Sequence, residues 1–417
     1  MIISKHCIII ILLSFIWQIT FAQDNAPENP FLPEPTGKYA VGTESFILRD
    51  TTAAKKKNQS RISIKIWYPA IASQKDSHFN KYLDGYDLNE IYRLFKAKGV
   101  TKEDIEKLAS YSTYSAQGLQ VSNDQEEFPV IIFTPGYYFG LNDIYSAYIE
   151  NLASNGYIVC AITHINQQIS IKAADKNDNA LHTARSSLPF LQWWWVDKIN
   201  FKDHMKSENQ VSMSKYFLKR LKRFNKVLKE WEGSTLFLID YLRAAKENHK
   251  SELYTRMNLD EVGAMGQSFG GALANHLCVS YDFIKAGVNL DCFQFGDVAN
   301  TYTNKPLMLI ESEQQIKWRI ANEYIYKDYN HLEYARIKGG KHFLFTDLPY
   351  YNVILDDEKL DELIGEVDGQ KAIEWMNSII LSFFEEGLKN GNNAHVIERI
   401  DNDEILYQKS NKCIYLK

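Results

Sequence analysis

Short apolar runs alternate with helical patterns through the middle of the chain. The runs at 128–134, 157–163 and 306–310 have the length and apolar composition of buried strands. Helical patterns occur near Ser146–Ser154 and again from Gly270 onward. Buried strands that alternate with helices are typical of a mostly parallel sheet with helices on both faces. The pattern therefore predicts an α/β fold.

One strand near the start of the chain has a different pattern. Ile62, Ile64 and Ile66 share one face, whereas Ser63 and Lys65 lie on the other. This alternation is typical of a strand with one exposed face. We therefore expect a half-exposed strand ahead of the strand–helix repeat.

The first 22 residues have the features of a signal peptide. A polar start with Lys5 precedes an apolar run at 7–17, and small residues end at Ala22. An uncleaved membrane anchor is the alternative, but the run is short for a membrane span. We therefore predict cleavage after Ala22 and export to the periplasm or the extracellular space.

The rest of the chain is predicted to form one domain at 39–390, preceded by a flexible lead-in at 23–38. The stretch 165–231 interrupts the strand–helix repeat and is interpreted as an insertion over the functional site. A polar tail at 391–417 ends the chain.

The end of this insertion has the pattern of a two-faced helix. Between Lys215 and Trp231, apolar residues recur at helical spacing, and the other face carries lysine and arginine. Such a helix either packs on its own domain or lies on a lipid surface. We favour packing, and keep peripheral lipid contact as a partner hypothesis.

The formal net charge of −5 gives the whole chain no attraction to nucleic acid.

The candidate chemistry is concentrated in Gly266-Gln267-Ser268-Phe269-Gly270-Gly271. An apolar strand precedes this motif and a helix rich in small residues follows it, as in the G-x-S-x-G turn. Such a turn presents the serine hydroxyl at the sheet edge and points the helix N-terminal amides at the reacting centre. The context predicts an α/β-hydrolase fold with Ser268 as nucleophile. The alternative is a glycine-rich turn with a structural serine.

A serine hydroxyl is a poor nucleophile unless a base accepts its proton. In the expected chain order of serine, acid and histidine, His342 follows the last strand in a glycine-containing loop and is the predicted base. His164 ends a strand near the site and is the alternative. His276 and His331 are expected to serve packing or solvation.

Three carboxylates compete for the role of the acid that orients the base. Asp291 follows the apolar stretch 286–290, and Glu311 and Glu313 follow the next strand. All three are expected at the same edge of the sheet. Spacing favours Asp291 and leaves the glutamates open.

The oxyanion hole of such a site needs two backbone N–H groups. Phe269, the residue after the nucleophile, supplies one. Gly136 permits a turn in the loop after an earlier strand, and this turn would point the Tyr137 amide at the substrate. Tyr137 and Phe269 are therefore the predicted donors, and no metal or other cofactor is expected.

Taken together, these stretches resemble the plasma-type (serine lipase) platelet-activating factor acetylhydrolases. The similar motifs, which keep the family's order, are Val41-Gly42, Trp67-Tyr68-Pro69, Phe128 to Gly136, Tyr145-Ser146-Ala147, Leu152 to Tyr157, Gly266 to Gly271, Leu290-Asp291, Pro306-Leu307, Ile310 to Glu313 and Gly339 to His342. In that family the acid follows the strand that precedes Asp291. The resemblance therefore implies Asp291 as the acid, and the Tyr137 and Phe269 amides as oxyanion donors.

The chain departs from the family pattern at two places. Gln267 stands where the family usually has histidine, and Thr134-Pro135-Gly136 stands where it usually has Ser-His-Gly. Neither change removes a triad residue or an oxyanion amide, but both reshape the pocket. The insertion at 165–231 also matches poorly.

The resemblance implies a serine esterase for a small ester or a phospholipid with a short or oxidised acyl chain. Two alternatives remain. One is a carboxylesterase, polyester hydrolase or peptidase on the same fold, because a fold alone does not set the substrate. The other is a non-catalytic binding protein that uses the same pocket.

Overall fold

The computed structural model of the chain describes residues 27–49, 61–72, 78–137, 140–164, 168, 207–299, 301–315, 322, 324–326, 329–389 and 404–410. The predicted signal peptide and most of the predicted insertion lie outside the described residues. Among the residues that are described, no helix combines the length and the apolar character that crossing a membrane requires.

The described strands belong to a single sheet. They are β1 (Ala40–Arg49), β2 (Arg61–Ala70), β3 (Phe79–Lys81), β4 (Ser112–Gln117), β5 (Phe128–Thr134), β6 (Ile158–His164), β7 (Met257–Gln267), β8 (Ile284–Leu290), β9 (Leu307–Ser312), β10 (Leu332–Ile337) and β11 (Ile405–Ser410). Their order across the sheet is β11-β10-β9-β8-β7-β5-β6-β2-β1-β4-β3.

The described α-helices connect and cover these strands. They are α1 (Leu88–Phe95), α2 (Lys102–Ser110), α3 (Ser146–Ser154), α4 (Ser207–Arg220), α5 (Lys222–Glu247), α6 (Glu252–Thr255), α7 (Phe269–Ser280), α8 (Asp357–Ile364) and α9 (Gly369–Lys389). The helices α3 and α7 follow the strands β5 and β7, as the sequence pattern predicts.

The central strands β10, β9, β8, β7, β5 and β6 run parallel to one another. Every residue of β5 is buried. Val130 and Ile132 lie in one hydrophobic core, and Ile131 and Phe133 lie in a second core on the other face. Both faces of the sheet are therefore covered, which confirms the predicted α/β architecture.

The chain reverses its direction of travel across the sheet at β5. From β5 it moves to β6 on one side, and it later returns to β7 on the other side. The loops that follow β5 and β7 consequently leave the carboxyl edge of the sheet in opposite directions. A crevice between such loops is the usual binding position in open α/β sheets.

The prediction of a half-exposed strand is wrong for β2. Its isoleucines lie in the core, as expected, but Ser63 and Trp67 on the other face are also buried. The helix α3 packs over this face. The side chain of Lys65 is mostly buried and forms an ion pair with Asp143. The polar residue at this position therefore did not indicate exposure to solvent.

The two-faced helix predicted over 215–231 is divided between α4 and α5, with Leu221 between them. Its apolar stripe is buried throughout, at Phe217, Leu221, Phe224, Leu228 and Trp231. This agrees with the interpretation that the helix packs on its own domain. The basic face, which includes Lys219 and Arg223, is exposed.

Two described segments lie in the predicted lead-in and tail. Within 27–38, Leu32 is buried and the Gly37 N–H donates to Ser154 Oγ at 3.1 Å. Within 391–417, β11 pairs antiparallel with β10 and extends the sheet, a strand that the sequence analysis did not predict. The domain limits themselves remain predictions.

The helix α3 carries a buried carboxyl group that the predicted chemistry does not use. Glu150 is buried, and its Oε2 accepts a hydrogen bond from the Tyr114 N–H at 3.0 Å. Burial raises the pKa of Glu150 to about 7 from an ordinary value of 4.5. The folded protein therefore binds this proton more tightly than the unfolded chain does.

Replacing Glu150 by glutamine should stabilise the protein at high pH. Because the folded-state pKa lies above the unfolded one, the wild type loses stability as the pH rises from about 4.5 to about 7. Glutamine does not ionise, so the variant avoids this loss, which is worth about 3 kcal/mol at pH 8. Thermal unfolding at pH 5 and pH 8 should show the advantage growing with pH. Glu106→Gln, at an exposed position, is the control and should show no such growth.

Candidate active site

Ser268 lies at a sharp turn between β7 and α7. Its backbone has φ 55° and ψ −127°, which is rare for a residue with a side chain. Hydrogen bonds hold the turn in place, because the Ser268 N–H donates to the Leu290 carbonyl at 2.7 Å and the Ser268 carbonyl accepts from the Gly271 N–H at 2.9 Å. The predicted strand–turn–helix unit is therefore present.

The two flanking glycines are required by close backbone packing. A Cβ on Gly266 would lie 2.3 Å from the Gly270 carbonyl carbon, and a Cβ on Gly270 would lie 2.0 Å from the Thr134 carbonyl oxygen. Neither position has room for a side chain. The turn consequently packs tightly against the end of β5, where the predicted oxyanion loop begins.

Asp291 follows β8 and lies beside the turn. Its carboxylate is buried, and the Asp291 N–H donates to the Ile310 carbonyl at 2.7 Å. Ser312 donates twice to this carboxylate, from its backbone N–H to Oδ1 at 2.7 Å and from its hydroxyl to Oδ2 at 3.0 Å. Oδ2 also lies 2.7 Å from His342 Nδ1. The carboxylate is thus fixed by the end of β9 and faces the imidazole.

The two competing glutamates have other partners. Glu311 is buried, and its carboxylate accepts hydrogen bonds from the Asn322 amide at 2.7 Å and the Tyr334 hydroxyl at 2.9 Å. Burial raises the pKa of Glu311 above its ordinary value. Glu313 accepts from the Gly339 N–H at 2.8 Å. Of the three candidate acids, the structure brings Asp291 to His342.

His342 lies at the start of a short 3₁₀ turn after β10, and its side chain is 28% exposed. Its Nε2 lies 3.1 Å from the side-chain nitrogen of Gln267, and its carbonyl oxygen lies 3.4 Å from the same nitrogen. Because the His342 carbonyl can only accept a hydrogen bond, the end of the Gln267 amide that faces it must be the NH₂ group rather than the oxygen. His342 Nε2 is then the acceptor, and the ring proton lies on Nδ1, facing Asp291.

The other histidines named from the sequence have different partners. His164 is buried and stacks on Trp231, and burial lowers the pKa of His164 to about 3. His276 is also buried, and its Nδ1 accepts from the Asp297 N–H at 3.0 Å. His331 is exposed at the start of β10, near the opposite edge of the sheet.

Polar side chains hold the loop after β5. The Gly136 N–H donates to the Tyr145 hydroxyl oxygen at 3.3 Å, and that hydroxyl donates to the Gln267 side-chain oxygen at 3.1 Å. On the other side of the loop, the Gln168 amide donates to the Gly136 carbonyl at 2.7 Å. Gln267 therefore connects the predicted oxyanion loop with His342.

The loop after β5 and the start of α7 meet through their side chains. The rings of Tyr137 and Phe269, whose amides are the predicted oxyanion donors, are 5.3 Å apart. Phe269 is the first residue of α7, and the first amides of a helix lack partners within the helix. The turn at Ser268 lies between these two segments.

Sequence analysis missed the residues that support this arrangement. Ser312, Tyr145, Gln168 and Trp231 each contact a predicted site residue or its loop. Ser312 follows Glu311, where the carboxylates alone attracted attention. Tyr145 was noted only within a family-like motif and Trp231 only as part of an apolar stripe, and Gln168 was not noted, because their roles arise from contacts between distant parts of the chain.

Comparisons with known proteins identify relatives of this chain. The platelet-activating factor acetylhydrolase of Gallus gallus is 24% identical over 272 residues, which cover 63% of this chain and 63% of that protein. The chain thus spans slightly less than two thirds of that relative. The enzyme of the same name from Bos taurus is 23% identical over 376 residues, which cover 86% of this chain and 77% of that protein.

A solved structure shares the fold. The ferulic acid esterase from Streptomyces cinnamoneus matches with a TM-score of 0.62 at 18% identity, over 91% of this chain and 99% of that chain. The chain has the α/β-hydrolase fold. The family model of platelet-activating factor acetylhydrolase, isoform II, matches residues 26–404. Because this match covers most of the chain, the chain belongs to the platelet-activating factor acetylhydrolase, isoform II, family.

Proposed function

We propose that the chain is a serine esterase in which Ser268 is the nucleophile, His342 the base and Asp291 the acid. The 2.7 Å contact between Asp291 Oδ2 and His342 Nδ1, beside the turn that presents Ser268, carries the proposal. Membership of the family supports ester hydrolysis as the reaction. The Asp291–His342 pair favours an enzyme over a non-catalytic binding protein, because a binding site has no need of an oriented base.

In the acylation step, Ser268 Oγ attacks the ester carbonyl carbon and its proton passes to His342 Nε2. The imidazole must first exchange its partner, since Nε2 accepts from Gln267 in the resting arrangement. The carbonyl oxygen becomes an oxyanion, and the amides of Tyr137 and Phe269 donate to it. Asp291 stabilises the imidazolium that forms.

To complete acylation, the C–O bond to the alcohol breaks and His342 returns its proton to the leaving oxygen. Ser268 is then acylated. A water molecule attacks the acyl carbon while His342 accepts the water proton, and collapse of the oxyanion releases the carboxylic acid. The Ser268 oxygen recovers its proton from His342, so the enzyme is restored.

The proposed substrate is a short acyl ester, with the sn-2 acetyl group of a glycerophospholipid as the specific candidate. The test compares hydrolysis of an sn-2 acetyl phospholipid, a long-chain sn-2 phospholipid and a p-nitrophenyl ester series. We expect turnover of the acetyl phospholipid and the short p-nitrophenyl esters, with activity falling as the acyl chain lengthens. A peptide substrate serves as the control for peptidase activity.

Turnover of the p-nitrophenyl esters alone would keep the esterase assignment and remove the phospholipid. Preferred cleavage of the peptide would replace the assignment with a peptidase on the same fold.

We further propose that the protein is exported after removal of residues 1–22. The mature N-terminus of protein recovered outside the cytoplasm tests this, and it should be Gln23.

Removal of the Ser312 hydroxyl should weaken catalysis without unfolding the site. Ser312→Ala loses the 3.0 Å hydrogen bond to Asp291 Oδ2 but keeps the backbone bond to Oδ1. A hydrogen bond to a charged group is worth about 1.5 kcal/mol or more, so kcat/KM should fall about 10-fold. Ser382→Ala, at a buried serine in α9, is the control. Equal activity of Ser312→Ala and wild type would show that the hydroxyl does not support Asp291.

A further inference from the structure

Trp231 contacts the side chains of both predicted oxyanion residues. Its ring is 5.7 Å from the Tyr137 ring at an interplanar angle of 12°, and 4.7 Å from the Phe269 ring at 64°. The two rings are also in contact with each other. The three side chains therefore form one aromatic cluster, in which each predicted amide donor belongs to a residue packed on Trp231.

The same tryptophan is held from a third direction. The His164 ring stacks on it at 4.1 Å and 9°, and Trp231 is 1% exposed. His164 ends β6, Tyr137 follows β5 and Phe269 begins α7. Trp231 thus joins three adjacent segments at the carboxyl edge of the sheet.

Further contacts limit the movement of this cluster. Phe224, which lies about two turns before Trp231 on α5, and Phe295 both pack against Phe269. Their ring centroids lie 6.0 and 5.2 Å from that of Phe269. A polar link runs in parallel, because Gln168 accepts from the His164 N–H and donates to the Gly136 carbonyl, each at 2.7 Å. The end of β6 and the loop after β5 are therefore tied by both packing and hydrogen bonds.

We propose that Trp231 is a positioning residue for the oxyanion hole. Two amides stabilise a developing oxyanion only if they are held at the right place before the reaction, so that no reorganisation is needed. The amides of Tyr137 and Phe269 come from different segments, and the side chains of both residues pack on Trp231. This inference rests on the proposed function. It also gives helix α5 a role in the chemistry, although α5 provides no reacting group.

The prediction distinguishes positioning from ordinary core packing. A misplacement of donors by about 1 Å is enough to cost roughly 100-fold in rate. Trp231→Leu should therefore lower kcat for p-nitrophenyl acetate about 30-fold, and KM should change less than about threefold, because the donors act mainly in the transition state. Trp231→Phe retains an aromatic contact and should recover most of this loss.

Leu238→Ala is the matched control. Leu238 is fully buried on α5, about two turns beyond Trp231, so its truncation also opens the core. The melting temperatures of both variants are measured first. We expect Leu238→Ala to lose thermal stability comparably and to keep kcat within about threefold of wild type. Equal kcat losses in the two variants, or a Trp231→Leu variant with wild-type kcat, would overturn the positioning role.

A transition-state analogue separates this inference from the proposed function. A trifluoromethyl ketone with a short chain forms a hemiketal oxyanion with an active serine, and its affinity for Trp231→Leu should fall in proportion to kcat/KM. If the wild type hydrolyses no ester and binds no such ketone, the proposed function fails and the inference fails with it. If the wild type does both and Trp231→Leu loses neither, only the inference fails.

Discussion

Replacement of Ser268 by alanine should lower kcat for p-nitrophenyl acetate by about 10⁴- to 10⁶-fold. In the proposed mechanism Ser268 Oγ forms the bond to the acyl carbon, and no other group in that mechanism can form the acyl-enzyme. The turn should survive, because its hydrogen bonds use the Ser268 backbone N–H and carbonyl rather than the hydroxyl. Alanine and serine also tolerate the positive φ about equally poorly.

This expectation is tested by steady-state kinetics together with thermal unfolding. Ser382→Ala is again the control, since it removes a buried hydroxyl far along the chain in α9. The variant Ser268→Ala should melt within a few degrees of wild type. Retention of more than about one per cent of kcat would contradict the assigned nucleophile.

Replacement of Asp291 by asparagine should lower kcat for p-nitrophenyl acetate about 10⁴-fold. Ser312 fixes the orientation of the new amide, because its backbone N–H must meet the Asn oxygen. The amide nitrogen then faces His342 Nδ1, where it can only donate. The imidazole proton would have to move to Nε2, which is the wrong tautomer for accepting the Ser268 proton.

Gln267 makes this tautomer still less favourable. Its NH₂ group donates to His342 Nε2, so a proton on Nε2 would place two donors against each other. The double variant Asp291→Asn, Gln267→Met removes that conflict but not the tautomer problem, so kcat should stay low. The kcat for p-nitrophenyl acetate is measured for Asp291→Asn and for the double variant. Recovery of activity in the double variant would show that the tautomer is not the cause of the loss.

The elements of the candidate site could be predicted because their sequence signals are local. The G-x-S-x-G turn requires glycines at two fixed offsets, and the buried strands on either side are continuous apolar runs. His342 follows its strand by a short loop, which limits where it can lie. The choice between Asp291 and the glutamates needed the resemblance, because spacing alone puts three carboxylates at one sheet edge.

The supporting residues could not be predicted because their contacts join distant parts of the chain. Ser312 lies 21 residues beyond Asp291, and Gln267 reaches His342 across 75 residues. The break at Leu221 follows no glycine or proline, so the continuous apolar stripe concealed it. The buried face of β2 was missed because an alternating pattern reports only which residues are polar, and the polar Lys65 lies in an ion pair with Asp143.

Covalent labelling can identify the activated serine directly. The protein is treated with a fluorophosphonate, digested, and analysed by mass spectrometry to locate the modified residue. We expect a single phosphonylated peptide containing Ser268, no labelling in Ser268→Ala, and much slower labelling in Asp291→Asn. Modification of a different serine, or no labelling of a folded protein, would contradict the assignment of Ser268 as the activated nucleophile.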